Sequence, residues 1–496
     1  MQKTNQETVN GIVWKACDSF RGTMESNDYK EYVLTMLFVK YLSDFYKEKV
    51  ENLKVKYGNN EDRISKSLKR EKFILDETCT FEYILKHKES ANIGEVINKA
   101  LERIEEDNKE KLEGIFRNVD FNSEIKLGKT KERNSILKNL IEDFSDERLD
   151  LRPSMLSEND VIGDAYEYLI AHFASSAGKS GGEFYTPSGV STLLAKLVEA
   201  KEGARIYDPT CGSGSLLIKA SKEVGNQNFA LYGQEKNGQT QALSKMNMFL
   251  HEINDAKIEW GDTLRNPLHK ENNHIMKFDI VVANPPFSLD KWGAEELKDD
   301  TYKRFEYGLP PKSKGDYAFI SHMLASLNVN GTMGVVLPHG VLFRGASEGK
   351  IRKQLIEDDN LLDAVIGLPA NLFFGTSIPA CILIFKKQRK NRDVLFIDAS
   401  KEFIKEKNQN SITPEHINKI FETYKTRNSL DKYSHLASFE EIEENDFNLN
   451  IPRYVDTFEE EEIVDIALTK TNIAKIESEL IDVKAKMSGY LKELGL

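Results

Sequence analysis

Cysteine is scarce and unpaired in this sequence. Cys17, Cys79, Cys211 and Cys381 are the four in 496 residues, far apart and without a C-x-x-C pair. A disulfide framework or a cysteine zinc site is therefore not expected, and a reducing cytoplasm suits the chain. No run of about 18 apolar residues occurs, so no membrane-spanning helix is predicted. The opening residues, MQKTNQET, lack the apolar stretch of a secretory signal. Proline is absent before Pro153, which suits a long helical start. Positive charge is also in deficit: 68 Lys and Arg stand against 80 Asp and Glu, a net charge of -12. That balance argues against a protein that grips nucleic acid through bulk positive charge.

The texture changes twice along the chain. Residues 1–155 read as a helical domain. Tyr32–Tyr46 is a dense apolar helix pattern, and Ile93, Val96, Ile97, Leu101 and Ile104 recur at helical spacing. Nothing in this part carries catalytic chemistry, so a packing or docking role is expected. Residues 156–400 alternate short β-branched runs with helical stretches. The runs are Arg205–Tyr207, Ala230–Tyr232, Asp279–Val282, Gly334–Leu337, Ala364–Ile366 and Cys381–Phe385. Such alternation predicts an α/β domain with a largely parallel sheet and ligands at the carboxyl ends of its strands. Residues 401–496 turn acidic and helical. Ile473, Ile476, Leu480, Val483, Met487, Tyr490 and Leu494 fall at alternating spacings of three and four. That is an a/d seam about 33 Å long. It predicts a partner surface, either on the same chain or on another subunit.

The chemistry concentrates at successive strand ends. In ARIYDPTCGSGSLL (204–217) a strand runs into Asp208, then a turn with Gly212 and Gly214, then a helix. Glycines at such a turn let a ligand approach the backbone, and the helix start offers free N–H groups. Leu217 stands where the dinucleotide fingerprint needs its third glycine, so a nicotinamide cofactor loses support. An acid before the loop suits instead a ligand with a cationic or hydroxylated end, such as S-adenosylmethionine. Glu235, 21 residues after Gly214, ends the next strand and is placed to accept from ribose hydroxyls. Asp262 ends a third and suits an adenine amino group. The strongest signal is FDIVVANPPF (278–287), an apolar strand ending in Asn284-Pro285-Pro286-Phe287. The prolines stiffen the turn and donate nothing, so local carbonyls face outward as acceptors. With the Asn284 carbonyl and the flat Phe287 ring they suit a planar exocyclic amine. Two acceptors hold its protons and free its lone pair for a methyl group.

These residues, in this order, resemble the modification (methyltransferase) subunits of type I restriction–modification systems, gamma-type adenine-N6 DNA methyltransferases. GGEFYTP (181–187) comes first, then DPTCGSG (208–214), then NPPF (284–287). GTMGVVLP (331–338), GVLFRG (340–345), LPANLFFGTSIPACILIF (368–385), NDFNLNIPRY (445–454) and LFVKYLSDFY (37–46) extend the resemblance over nearly the whole chain. It implies a Rossmann-like S-adenosylmethionine-dependent methyltransferase domain, preceded by an all-α domain and followed by a helical tail. It implies that Glu183, Phe184, Tyr185, Thr186 and Pro187, with Asp208, Gly212, Ser213 and Gly214, surround the methionine part of S-adenosylmethionine. Glu235 and Asp262 then hold the ribose and the adenine of the cofactor. Asn284 and the Pro285 carbonyl orient the target N6, Phe287 stacks on the base, and Phe373 or Phe374 forms the second wall. The base must be flipped out of the duplex to reach such a pocket. The resemblance further implies DNA as substrate, two copies of the chain per specificity subunit, and a restriction motor–nuclease subunit joining them.

Several rival chemistries lack residues they need. GKS at 178–180 would be a P-loop only with glycine at 173, where Phe173 stands. No Pro-Cys dipeptide exists, which removes the nucleophile of cytosine-C5 methylation. Cys211 has no basic neighbour in sequence and reads as a packing residue. No histidine cluster has metal-ligand spacing, and no metal is expected. A self-sufficient methyltransferase would need a base-reading region after the catalytic motifs, with a basic face. Methylation of RNA or of a protein amide, or a non-enzymatic scaffold, are further alternatives. By region the net charge is -3 for residues 1–150, -2 for 151–400 and -7 for 401–496. The catalytic part is thus nearly neutral and the most acidic part comes last. The acidity is compatible with DNA if the grip and the address come from another subunit.

Overall fold

The computed structural model of the chain describes residues 3–494 except 159, 177–181, 183–184, 408 and 458–465. It divides into two compact units, Met1–Val455 and Asp456–Leu496.

The first unit opens with helices. The apolar segment Tyr32–Tyr46 lies inside the 32-residue helix Ser26–Tyr57. The Ile93–Asp107 helix buries Ile93, Ile97, Leu101 and Ile104, the face expected from the spacing. Burying each such side chain stabilises the fold by roughly 1.5–3 kcal/mol. This core is shared with the domain that follows. Leu243, Met246, Phe249 and Leu250 of the Gly238–Leu250 helix belong to the same buried cluster. Phe38 meets Phe249 edge-on, ring centroids 5.5 Å apart. The helical domain is thus packed directly behind the helix that follows Glu235.

The second layer of the unit is a nine-stranded sheet. Its strands are β1 Arg205–Asp208, β2 Ala230–Glu235, β3 Lys257–Trp260, β4 Phe278–Ala283, β5 Leu327–Pro338, β6 Leu362–Gly367, β7 Ala380–Lys386, β8 Val394–Asp398 and β9 Ser434–Ala437. The spatial order is β3-β2-β1-β4-β5-β7-β6-β8-β9. β7 runs antiparallel between β5 and β6, and β9 antiparallel to β8; the other neighbours are parallel. Central strands are apolar on both faces, as in β7, where all of ACILIF is buried. Helices cover both sides of such a sheet. All six strands read from the sequence appear. From β1 the chain adds strands in one direction (β2, β3) and then in the other (β4, β5). The crevice at that reversal, outside the carboxyl ends of β1, β2 and β4, is where such sheets bind ligands.

The sheet continues past residue 400, where the sequence-based boundary was drawn. β9 has two half-exposed residues out of four, so no apolar run marks it. Pairing with β8, from Val394–Ala437 to Ile397–Ser434, makes it a strand. The second unit, by itself, is the helix Ile466–Glu493. Along it Ile473, Ile476, Leu480, Val483, Met487 and Tyr490, and Leu494 just past its end, are 49–74% exposed. Among the described residues no helix is long and apolar enough to cross a membrane.

Candidate active site

Asp208 ends β1 and is buried, with its Oδ1 accepting the Thr210 N–H at 2.9 Å. Burial pushes its carboxyl up, the Thr210 N–H pulls it back, and the nearby Glu235 carboxylate raises it again, to about 8. A cation brought beside such a buried acid favours its carboxylate form. The following loop turns on Gly212 and Gly214, both in the left-handed region at φ 53 and 82. A side chain at Gly214 would also meet Ser244 Oγ at 2.6 Å, so only glycine fits. Ser213 is buried, its carbonyl accepting from Asn247 Nδ2 at 3.0 Å.

Glu235 ends β2 and ties the two strand ends together. Its Oε2 accepts the Gly212 N–H at 3.0 Å and its Oε1 the Asn237 N–H at 2.7 Å. Burial nevertheless raises its pKa above the ordinary value against those bonds. Asp262 follows β3. Its Oδ2 lies 2.9 Å from Lys236 Nζ and 3.0 Å from Arg265 Nη1. Burial pushes its carboxyl up, but the bonds from Lys236 and Arg265 outweigh it and the pKa falls. The buried Arg304 braces this turn from below, donating to the Thr263 carbonyl at 3.2 Å and the Leu264 carbonyl at 2.7 Å.

Asn284, at the end of β4, donates through Nδ2 to Thr186 Oγ1 at 3.1 Å. Its buried Oδ1 has no hydrogen-bond partner among the described residues. An unsatisfied buried carbonyl is costly, and this one belongs to a residue that lines the cleft at the strand ends. Thr186, from the segment just before the Ser188–Val198 helix, thereby fixes which way the Asn284 amide faces. Phe287 lies edge-on to Phe373, centroids 5.4 Å apart. Phe374 pairs instead with Tyr185, centroids 6.1 Å apart. Tyr185 is buried, and burial raises its hydroxyl pKa.

A cleft of about 720 Å³ runs along these strand ends, lined by Glu235, Asp262, Thr210, Asn284 and Pro286. A narrow crevice bounded by Tyr185, Thr186, Asp208, Gly212, Ser213 and Asn284 adjoins it. The structure thus gathers Tyr185, Thr186, Asp208, Gly212, Ser213, Gly214, Glu235, Asp262, Asn284, Pro286 and Phe287 at one edge of the sheet. Pro187 and Pro285 are beside them in the chain. Glu183 and Phe184 lie outside the described residues. Sequence reasoning missed Asp28 and Lys30, which line the same cleft from the helical domain; nothing in their local sequence marks them. It also found no metal-ligand spacing, whereas the fold brings Asp160, Asp164 and His251 together. Lys222 ion-pairs with both carboxylates there, so a cation is already supplied.

Comparison with known proteins gives the chain its class. Residues 157–463 match the model of the family described as N-6 DNA Methylase, and residues 9–144 that of the HsdM N-terminal domain. The MpnII methylase subunit of a type I restriction enzyme from Mycoplasma pneumoniae is 34% identical, over 100% of this chain and 98% of its own length. The MjaVIII methylase subunit from Methanocaldococcus jannaschii is 36% identical, over 100% and 86%. The crystal structure of a type I restriction–modification methyltransferase subunit from Streptococcus thermophilus superposes with a TM-score of 0.82 at 40% identity, covering 91% of this chain and 100% of that one. The chain belongs to the N-6 DNA methylase family. Within that family, with the HsdM N-terminal domain ahead of the catalytic sheet, it is the modification subunit of a type I restriction–modification system and a DNA adenine methyltransferase.

Proposed function

We propose that the chain transfers a methyl group from S-adenosylmethionine to N6 of an adenine flipped out of DNA, in the cytoplasm, within a complex whose specificity subunit selects the sequence. The observation that carries this reading is Asn284, its amide nitrogen tied to Thr186 and its Oδ1 without a partner among the described residues.

The residues present fit S-adenosylmethionine. The cleft is about 720 Å³, Glu235 stands at the end of β2 for ribose hydroxyls, and a cationic ligand favours the carboxylate form of the buried Asp208. Asp262 is the acceptor offered to the cofactor's adenine, and Tyr185, Thr186, Pro187, Gly212, Ser213 and Gly214 enclose the methionine end, with Glu183 and Phe184 from the same motif. The bound cofactor supplies an electrophilic methyl group on a sulfonium. The protein supplies position. Asn284 Oδ1 and the Pro285 carbonyl accept the two N6 protons, which loosens the nitrogen lone pair from the ring. Both acceptors strengthen as positive charge develops on N6, and such preorganised dipoles are where the rate gain arises. Phe287 stacks on the base. Phe373 lies against Phe287 and Phe374 faces Tyr185, so Phe373 is the aromatic that extends the Phe287 wall.

The exposed seam of the Ile466–Glu493 helix is the surface offered to the specificity subunit. Two copies of this chain on one specificity subunit, with a restriction motor–nuclease joining, complete the assembly. The test is label transfer from methyl-labelled S-adenosylmethionine to DNA, with and without the co-expressed specificity subunit. Site-specific N6-methyladenine only with the partner is expected. Full transfer without it would identify a self-sufficient enzyme, and transfer to RNA or protein alone a different substrate.

A further inference from the structure

The turn that follows the N-P-P-F motif is held by a buried ion-pair relay whose members lie outside the motif. Ser288, next after Phe287, sits in the left-handed region at φ 52, a strained conformation for a residue with a side chain. Something must hold it there. Its N–H donates to Asp316 Oδ1 at 2.8 Å, and its hydroxyl lies 3.5 Å from Asp316 Oδ2. Asp316 opens the helix Asp316–Ala325 and is fully buried.

The carboxylate is in turn held by Arg344, whose Nη2 is 2.5 Å from Asp316 Oδ2. The same guanidinium grips the buried Glu348, Nε to Oε2 at 2.5 Å. Arg344 is the fifth residue of GVLFRG (340–345), and the first glycine of that motif has a spatial reason: a Cβ on Gly340 would stand 2.4 Å from Arg344 Nη1. Arg352 fixes the Arg344 carbonyl at 3.0 Å. Asp316, Arg344 and Glu348 are ion-paired with one another, as burial requires, and the buried Arg352 donates to the Phe447, Val341 and Arg344 carbonyls. Nothing in the relay lines the cleft, so it acts on the substrate only through Ser288 and Phe287.

The geometry points to Asp316 and Arg344 as positioning residues for the methyl-transfer step. By pinning Ser288 they set the plane of the Phe287 ring and the aim of the turn that carries Asn284. This rests on the reading of Asn284 and Phe287 as the base-holding residues. A turn released from its anchor misplaces a stacked base without touching the cofactor, and misplacement of about 1 Å costs on the order of 100-fold in rate.

The experiment uses the complex assembled with its specificity subunit. It measures kcat and KM for DNA, the Kd for S-adenosylmethionine, the melting temperature, and the fluorescence of 2-aminopurine at the target position. Production of N6-methyladenine by the unaltered complex tests the functional reading first; its absence fails that reading and not the relay. Asp316→Ala is expected to lower kcat about 100-fold with cofactor Kd within about twofold, and to alter the fluorescence of the flipped base. Asp316→Asn keeps an acceptor for Ser288 and loses the ion pair, so about a tenfold loss is expected. Arg344→Gln should match it, and the Asp316→Asn/Arg344→Gln pair should fall no further than the worse single variant, since both cut one relay. If Asp316→Ala does not fold, the two milder variants and their pair decide. Unchanged kcat in the variants, additive losses in the pair, or losses of kcat that follow cofactor Kd and melting temperature in step would overturn the assignment.

Discussion

Two helices of this chain carry nearly the same apolar rhythm and have opposite fates. Ile93–Asp107 places Ile93, Ile97, Leu101 and Ile104 in the core shared with the catalytic domain. Ile466–Glu493 repeats apolar residues at similar helical spacing, and the residues from Ile473 to Tyr490, with Leu494 just after the helix, are 49–74% exposed. Periodicity therefore states that a helix has a cover, and only the fold states whether the chain supplies it. The unit that ends at Val455 completes its own core and carries the site. The helix Ile466–Glu493 leaves its apolar seam exposed.

That contrast can be broken from either side. The largest effect is expected from Leu480→Asp with Val483→Asp, which places two charges on the exposed seam. Site-specific DNA methylation should fall more than about 100-fold through loss of specificity-subunit binding, since charges buried without partners are strongly penalised. The Kd for S-adenosylmethionine should stay within about twofold. Pull-down of the specificity subunit and cofactor titration read both sides; intact assembly would remove the seam from the interface.

A smaller and purely structural contrast uses one substitution in both helices. Ile97→Ala should destabilise the isolated chain by about 2–5 kcal/mol, whereas Ile476→Ala should stay within about 0.5 kcal/mol. Denaturant unfolding monitored by circular dichroism distinguishes them. Equal effects would mean that the tail packs on its own chain.

The smallest effect expected is on pH dependence, which probes the catalytic unit alone. With Asp208 held up to about 8, its carboxyl is protonated below that pH in the free protein. A cation bound beside it favours the carboxylate, so affinity for S-adenosylmethionine should rise with pH, by at most about tenfold per unit up to pH 8, and then level. Asp208→Asn should flatten the profile relative to the parent chain. Parallel profiles in calorimetric titrations would detach Asp208 from the cofactor.

Much of this was legible in the sequence, and the exceptions share a cause. Strands β4, β6 and β7 carry the apolar runs Ile280–Ala283, Ala364–Ile366 and Ala380–Phe385, which need no tertiary information, and the residues at such strand ends follow from them. β9 was missed because its identity is its pairing with β8. Thr186 and Asn284 were each named, but the bond between them joins residues 98 apart. Likewise Phe373 and Phe374 are neighbours in sequence, and only packing sends one to Phe287 and the other to Tyr185. The relay through Asp316 and Arg344 spans 28 residues. A charged residue opening an apolar helix was the sole local signal, in KGDYAFI (314–320).

We propose that the transfer depends on Asn284 Oδ1 as acceptor, and Asn284→Ala in the assembled complex tests this most directly. Complex assembly and cofactor Kd should persist while kcat for N6-adenine methylation falls about 100- to 1000-fold. A variant that assembles, binds cofactor and retains the parental kcat would contradict the account.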